Sequence, residues 1–359
     1  MFMSKFIKPV TGRKIRLGFV GCGRISQKHF EALEQHKDNI EVVAVCDEVE
    51  ARATQAATRM GAKAYFSLDS MLEDKTLDVV TIATPNGLHP QHVMQVANSG
   101  VHVITEKPMS IKLADGMKMN QHCIDKNVQL FVIHQNRFND TVLALHNAVT
   151  EGRFGKIYMI TSNVFWTRPQ DYYDKDGTWH GTKDMDGGAY LTQASHYVDL
   201  MQWIAGSKPK SVYANLKTLA RKIETEDSGV ASFEWENGII GAMNVTMLTY
   251  PRNLEGSVTV LGEKGTARVG GVAMNVIEHW EFADIRPEDE AILKANYDTT
   301  SVYGFGHVRY YENVINVFRG KAKPLIDGIE GLKSLKILTA IYDSSEAGRP
   351  VVFGEGINF

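Results

Sequence analysis

The segment Gly21-Cys22-Gly23-Arg24-Ile25-Ser26 directly follows an apolar run, Ile15 to Val20, and directly precedes a helical pattern. Glycines there permit a tight turn and the close approach of a pyrophosphate, whose charge is favoured by free backbone N–H groups at a helix N-terminus. Ser26 stands where the dinucleotide fingerprint usually has its third glycine. Asp47 ends the next apolar run, 24 residues after Gly23. A carboxylate at that point accepts from both adenosine ribose hydroxyls and repels a 2′-phosphate, which favours NAD over NADP. A second reading of Asp47, a solvated acid capping the next helix, stands beside it, and Arg52 close by would weaken the cofactor preference.

Thr84-Pro85-Asn86 and Glu106-Lys107-Pro108 each follow a further apolar run, so both fall at the carboxyl edge of a sheet, where open α/β folds bind ligands. A lone loop lysine is ordinarily a solvated charge; the strand-end position and the following proline set Lys107 apart. Facing the positive ring of an oxidised nicotinamide and partly desolvated, its amine would titrate nearer the working pH and share the proton of a substrate hydroxyl. His196 lies on an amphipathic stretch, where a histidine by itself reads first as a satisfied core residue. Asp199, three residues on, either orients it or is a helix-surface acid.

The elements that must position these residues are legible in outline. Continuous apolar runs at Ile15 to Val20, Val42 to Cys46, Val79 to Ala83, Val101 to Thr105 and Val128 to Ile133 predict parallel strands covered on both faces by helices, a doubly wound α/β domain. Ile25, His29, Ala32 and Leu33 share a helix face, Gly61 and Gly100 suit C-caps, and Pro90 suits a first helical turn. After Arg137 the pattern changes to a helix near Asp140 to Glu151, a strand near Ile157 to Trp166, an irregular aromatic stretch to Asp186, and a helix at Gly188 to Ala205. Asn237-Gly238 predicts a hairpin, as does the segment Gly262 to Gly265. Helices near Gly304 to Arg319 and Ile329 to Ala347 close the chain. The expected organisation is a Rossmann domain over residues 1–135 and an α+β domain with an open, mainly antiparallel sheet over 136–359.

With 359 residues, 43% apolar and 23% charged, the chain is long enough for two hydrophobic cores of ordinary composition. A net charge of −3 argues against a general nucleic-acid or anionic-membrane binder and leaves room for a local basic pocket. The cysteines, Cys22, Cys46 and Cys123, fit neither a disulfide framework nor a zinc pattern, so a reducing cytoplasm and no metal site are expected. Met1 to Lys14 lacks the features of a secretory signal, and no run of ~18 apolar residues occurs.

Together these signals resemble the Gfo/Idh/MocA family of oxidoreductases, whose most specific short motif is the Glu-Lys-Pro turn. The resemblance covers essentially the whole chain and implies an NAD-dependent sugar dehydrogenase whose C-terminal sheet builds dimers or tetramers. It implies a cofactor site of Gly21, Gly23, Arg24, Ile25, Asp47, Thr84, Pro85, Asn86, His89, Glu106, Lys107 and Gln135. The segment Gly187-Gly188 through His196 to Asp199 resembles the family's helix bearing a histidine that reaches the reacting carbon, which makes Lys107 and His196 the catalytic candidates. Many members have Asp four residues before that histidine; this chain has Thr192.

A narrower resemblance within the family lies at His134 to Asn139, Trp166 to Tyr173, Trp179 to Thr182 and the Gln-Ala-Ser-His stretch. It implies oxidation of the 3-hydroxyl of UDP-N-acetylglucosaminuronic acid, on a route to bacterial surface polysaccharide. Substrate contacts are then expected from Lys107, Asn136, Arg137, Arg168, Tyr172, Tyr173, Thr192, Gln193 and His196, with Lys183 nearby. Guanidinium and hydroxyl donors suit a diphosphate and a uronate. The aromatic stretch reads alternatively as a structural Ω-loop or an oligomer contact. Two other functions stand beside this one: a dehydrogenase of a free sugar or inositol, and a non-catalytic sugar- or dinucleotide-sensing regulator, against which the retention of both Lys107 and His196 argues.

Overall fold

A computed structural model describes residues 5–175, 179–298 and 304–354, so 176–178 of the aromatic stretch lie outside the described residues. The chain divides into two compact units, Met1–Ile133 with His307–Leu335, and His134–Gly306 with Lys336–Phe359.

The first unit is built on a six-stranded parallel sheet in the order β3-β2-β1-β4-β5-β6. The strands are β1 (Ile15–Val20), β2 (Ile40–Cys46), β3 (Lys63–Tyr65), β4 (Val79–Ile82), β5 (His102–Thr105) and β6 (Leu130–Val132). This is the dinucleotide-fold order, and its reversal beside β1 opens the ligand crevice at the strand ends. Each expected run became a strand because burial on both faces selects unbroken apolar sequence; β4, for instance, is buried at every position. Strand β3 went unread because it is a three-residue edge strand with one buried residue. Helix Glu50–Met60 ends on Gly61 in the left-handed region, and Pro90 sits in the first turn of helix His89–Asn98, as expected.

Residues His307–Leu335 return to this first unit, although they lie within the segment 136–359 expected to be one domain. Their attachment is non-local. Val10 donates to the carbonyl of Phe318, Phe318 stacks on Phe131 at 6.2 Å, and Val132 donates to the carbonyl of Ile326.

The second unit carries an eight-stranded sheet in the order β13-β12-β11-β7-β10-β9-β8-β14. Its strands are β7 (Ile157–Phe165), β8 (Pro209–Lys217), β9 (Ser228–Trp235), β10 (Ile240–Thr246), β11 (Glu255–Gly262), β12 (Gly265–Gly270), β13 (Val276–Phe282) and β14 (Val351–Val352). All pairings are antiparallel except β7 with β10. Both expected hairpins form, β9–β10 through Gly238 at φ +84° and β11–β12. Burial alternates: Ile160 and Val164 of β7 face the core, while Tyr213, Val230, Ile240 and Leu261 stand exposed on the other face.

The helix expected over Gly188 to Ala205 is two helices, Ala189–Thr192 and Ser195–Ala205. The chain turns at Gln193 and Ala194, and the Ala194 carbonyl starts the second helix by accepting from Tyr197 and Val198. His196 therefore sits in a first helical turn rather than mid-helix. Among the described residues, no helix is long and apolar enough to cross a membrane.

Candidate active site

In the first unit, β1 is followed by Gly21, whose N–H donates to the Cys46 carbonyl at 2.8 Å and whose φ is +92°. A Cβ there would lie 2.5 Å from the Ala83 carbonyl oxygen, so only glycine fits between the ends of β1 and β4. Beside Gly23, by contrast, a Cβ would meet nothing within 4 Å. Helix Ser26–Gln35 begins with no side-chain cap, and its Ser26 and Lys28 N–H groups turn back to the Gly23 and Ile25 carbonyls. Ser26 is buried, and its hydroxyl donates to the Gly23 carbonyl at 2.6 Å, bracing the turn. Arg24 is exposed and Ile25 half-buried at the rim.

Asp47 does not cap the next helix, whose N-cap is Val49 with no side-chain cap. One oxygen accepts from the N–H of Cys22 at 2.8 Å, inside the glycine turn, and the other from that of Val49 at 2.8 Å, ahead of helix Glu50–Met60. The carboxylate thus ties the glycine turn to the loop before the helix, and each oxygen has a second lone pair for a ribose hydroxyl. Open backbone at Gly23, an uncapped helix start and this acid fit a dinucleotide with an unphosphorylated ribose.

The Glu106-Lys107-Pro108 turn follows β5, with Lys107 half-buried. Its neighbours were not legible from local sequence. The carboxyl of Glu106 faces the interior: Oε2 accepts the Lys107 N–H at 2.9 Å, and Oε1 lies 2.9 Å from His29 Nε2 and 3.9 Å from His307 Nε2. Burial pushes Glu106 up, but the hydrogen bond to His29 and the charge of Lys107 overcome it and hold the acid well below the carboxylate range. His89, expected at the cofactor, is fully buried between two loops, with Nδ1 2.8 Å from the Pro108 carbonyl and Nε2 2.9 Å from that of Thr84. Burial holds His89 below the usual imidazole range, so at neutral pH its single proton serves one carbonyl at a time. Thr84 Oγ1 is 3.0 Å from His92 Nδ1, while Pro85 is half-buried and Asn86 buried.

In the second unit, Gln135 Nε2 donates to His196 Nε2 at 3.1 Å, an arrangement in which that nitrogen is the unprotonated one and accepts. The buried carbonyl oxygens of Gln135 and Asn136 have no hydrogen-bond partner among the described residues, as expected of groups awaiting a polar ligand. Arg137 binds Asp199 in a bidentate pair, 2.7 Å on each side, and lies 5.0 Å from the Trp203 ring. Its guanidinium, expected at a substrate anion, thus meets Asp199 through Nε and Nη2. Asp199 in turn is no surface acid but a buried one, with His134 Nδ1 at 3.7 Å.

Arg168 is half-buried, with its guanidinium 5.2 Å from the Trp166 ring and 5.4 Å from that of Tyr172, and Nη1 on the Thr167 carbonyl. The Tyr172 hydroxyl accepts from Gln193 at 3.5 Å. Tyr173 is buried, so its ring builds the loop core, while Lys183 is exposed. Thr192 Oγ1 donates to Asp186 Oδ1 at 2.5 Å. A buried carboxylate therefore stands against position 192, where the side chain itself is not acidic. Glu226, also unread in the sequence, accepts from the Tyr190 N–H at 2.9 Å and the Tyr342 hydroxyl at 2.7 Å. Gly188 permits this, since a Cβ there would lie 2.3 Å from Glu226 Oε2.

Comparison with known proteins gives concordant results. The profile of the oxidoreductase family's NAD-binding Rossmann fold matches residues 15–134, and that of its C-terminal alpha/beta domain matches residues 146–353. The chain is 53% identical to the WlbA dehydrogenase of Bordetella pertussis, solved in complex with NADH and UDP-GlcNAcA, over 96% of this chain and 99% of that one, with a TM-score of 0.93. It is 51% identical to the Chromobacterium violaceum WlbA dehydrogenase, also solved with NADH and UDP-GlcNAcA, over 98% and 99%, with a TM-score of 0.92. The myo-inositol 2-dehydrogenase of Thermotoga maritima is 29% identical over 96% of this chain and all of its own length.

Proposed function

The chain belongs to the Gfo/Idh/MocA oxidoreductase family, and from that premise we propose that it is an NAD-dependent dehydrogenase of UDP-N-acetylglucosaminuronic acid, oxidising the 3-hydroxyl to the ketone. The observation that carries this reading is the full-length similarity, above half identity, to two WlbA dehydrogenases solved with NADH and UDP-GlcNAcA. The product is a 3-keto sugar for bacterial surface polysaccharide such as O-antigen, made in the cytoplasm.

NAD⁺, when bound, takes the two electrons and the hydrogen that leave C3. The remaining work falls to side chains of this protein. Gly21, Gly23 and the first turn of helix Ser26–Gln35 receive the pyrophosphate, and Asp47 the adenosine ribose. His196 removes the hydroxyl proton through the nitrogen that Gln135 holds as an acceptor, and Lys107 hydrogen-bonds the same oxygen. The polar edges of Gln135 and Asn136 and the guanidinium of Arg168 are assigned to the sugar nucleotide. The exposed apolar residues Tyr213, Val230, Ile240 and Leu261 on one sheet face support a homo-oligomer, for which a tetramer is the expected form.

Incubation of the purified protein with NAD⁺ and UDP-N-acetylglucosaminuronate tests the reading. NADH absorbance should rise, and the sugar nucleotide should lose the mass of two hydrogens. No turnover of this substrate alongside oxidation of a free inositol would replace the proposal with the family's free-polyol chemistry.

A further inference from the structure

Lys107 stands between two residues that are each tied to a buried imidazole. On one side Pro108 offers its carbonyl to His89 at 2.8 Å. On the other, Glu106 receives the Lys107 N–H on one oxygen and meets His29 on the other, both at 2.9 Å. His29 is wholly enclosed and is itself oriented from behind, with Nδ1 2.8 Å from the Tyr311 hydroxyl. His307 closes the group, its ring edge-on to His29 at 4.9 Å between centroids.

The donor atoms of His29, Glu106 and His307 lie within 4.8 Å of one another, a set that could hold a metal ion. The distances favour a hydrogen bond instead. Two ligands of a tetrahedral zinc, each about 2.0–2.1 Å from the ion, would be about 3.3 Å apart, whereas His29 Nε2 and Glu106 Oε1 are 2.9 Å apart. A buried carboxylate needs such a partner, because an unpaired charge there is strongly unfavourable.

We propose that His29, oriented by Tyr311, is a positioning residue for the oxidation: by holding Glu106, it fixes the backbone from which Lys107 reaches the substrate. His29 lies on helix Ser26–Gln35, the helix whose first turn is assigned to the pyrophosphate. Cofactor seat and lysine turn therefore share one rigid support. The inference rests on the role given to Lys107 under the proposed function.

The test uses the full chain and compares His29→Leu, His29→Gln and Tyr311→Phe. His29→Leu should lower kcat by about 10²-fold, the scale of an ångström's misplacement, with KM for both substrates and NADH affinity within about threefold. His29→Gln should recover most of that loss, since its amide can donate to Glu106; a merely space-filling role predicts equal losses for Gln and Leu. If His29→Leu does not fold, Tyr311→Phe decides. Loss of one orienting hydrogen bond should cost about fivefold in kcat, and unchanged kcat overturns the proposal. The imidazole N–H shared with Glu106 should also give a far-downfield proton resonance in histidine-labelled protein that disappears in Glu106→Gln. That signal needs no turnover. An inert wild-type enzyme would refute the function, and an absent resonance would refute the clamp.

Discussion

Among the described residues each unit encloses one glutamate, and the two are shifted in opposite directions. Glu106 sits among His29, His307 and Lys107, and although burial disfavours its charge, these partners hold it well below the carboxylate range. Glu226 receives backbone N–H groups and a tyrosine hydroxyl, with no cation among the described residues that shift it. Burial dominates there, the charge of Asp186 adds to it, and the acid is pushed up to about 7. Enclosure is common to both; the imidazole hydrogen bond and the lysine charge beside Glu106, which Glu226 lacks, decide the outcome. One glutamate is a fixed anion under the lysine turn, the other an acid that titrates near neutrality beneath the Gly187-Gly188 segment.

The sharpest way to break this comparison is to delete the anion. Glu106→Ala leaves His29 without its partner and the Lys107 N–H unmatched, so a loss of about 3–5 kcal/mol is expected in urea unfolding at pH 7. The depressed pKa makes this contribution fully present above the unfolded value and lost as pH falls through the folded one. The penalty should accordingly shrink only in acid. A cost that is small at neutral pH would mean that Glu106 is not ionised.

Glu226→Gln should behave in the reverse sense. A folded pKa raised from 4.5 to about 7 means that wild-type stability is fully present below the unfolded value and is lost as pH rises through the folded one. Glutamine does not ionise and can still accept from Tyr190 and Tyr342. The variant should match wild type near pH 4 and exceed it by about 3 kcal/mol at pH 8, measured by chemical denaturation at both. Equal stabilities at pH 8 would show that Glu226 is already charged there without cost.

Catalysis separates the two regions next. Lys107→Ala and His196→Ala should each lower turnover by ~10²-fold or more while NADH still binds. Lys107→Ala should also raise the pKa of Glu106, because one of the charges holding it down is gone. Near-wild-type rates in both variants would sink the assignment of proton transfer to these residues.

What could be read without coordinates follows the range of the interactions. Strands β1, β2, β4, β5 and β6 were legible because burial on both faces leaves continuous apolar runs, and the two hairpins because glycine marks their turns. Gly21 and Asp47 were legible because a turn and a strand end are local. The charge cluster was not, since His29, Glu106 and His307 are distant in sequence and meet only through tertiary packing; a lone histidine on the apolar face of helix Ser26–Gln35 was its one local trace. The ion pair of Arg137 was hidden for the same reason, because its partner Asp199 lies 62 residues later. The helix break at Gln193 and Ala194 carries neither proline nor glycine, and so had no breaker to announce it.

The smallest expected effect isolates what little lowers the Glu226 pKa. Tyr342→Phe removes the hydroxyl that donates to Glu226 at 2.7 Å, but that hydroxyl also accepts from the Leu191 N–H at 3.3 Å. Loss of the Leu191 bond costs the same at every pH, whereas loss of the bond to Glu226 weighs on the carboxylate and hardly on the neutral acid. The variant should therefore be destabilised by about 1 kcal/mol overall, more at pH 8 than at pH 5, with the titration of Glu226 moved further above 7. Thermal unfolding at the two pH values reads the difference. An identical loss at both would assign the hydroxyl to Leu191 alone and leave burial and Asp186 as the whole reason that this glutamate, unlike Glu106, keeps its proton.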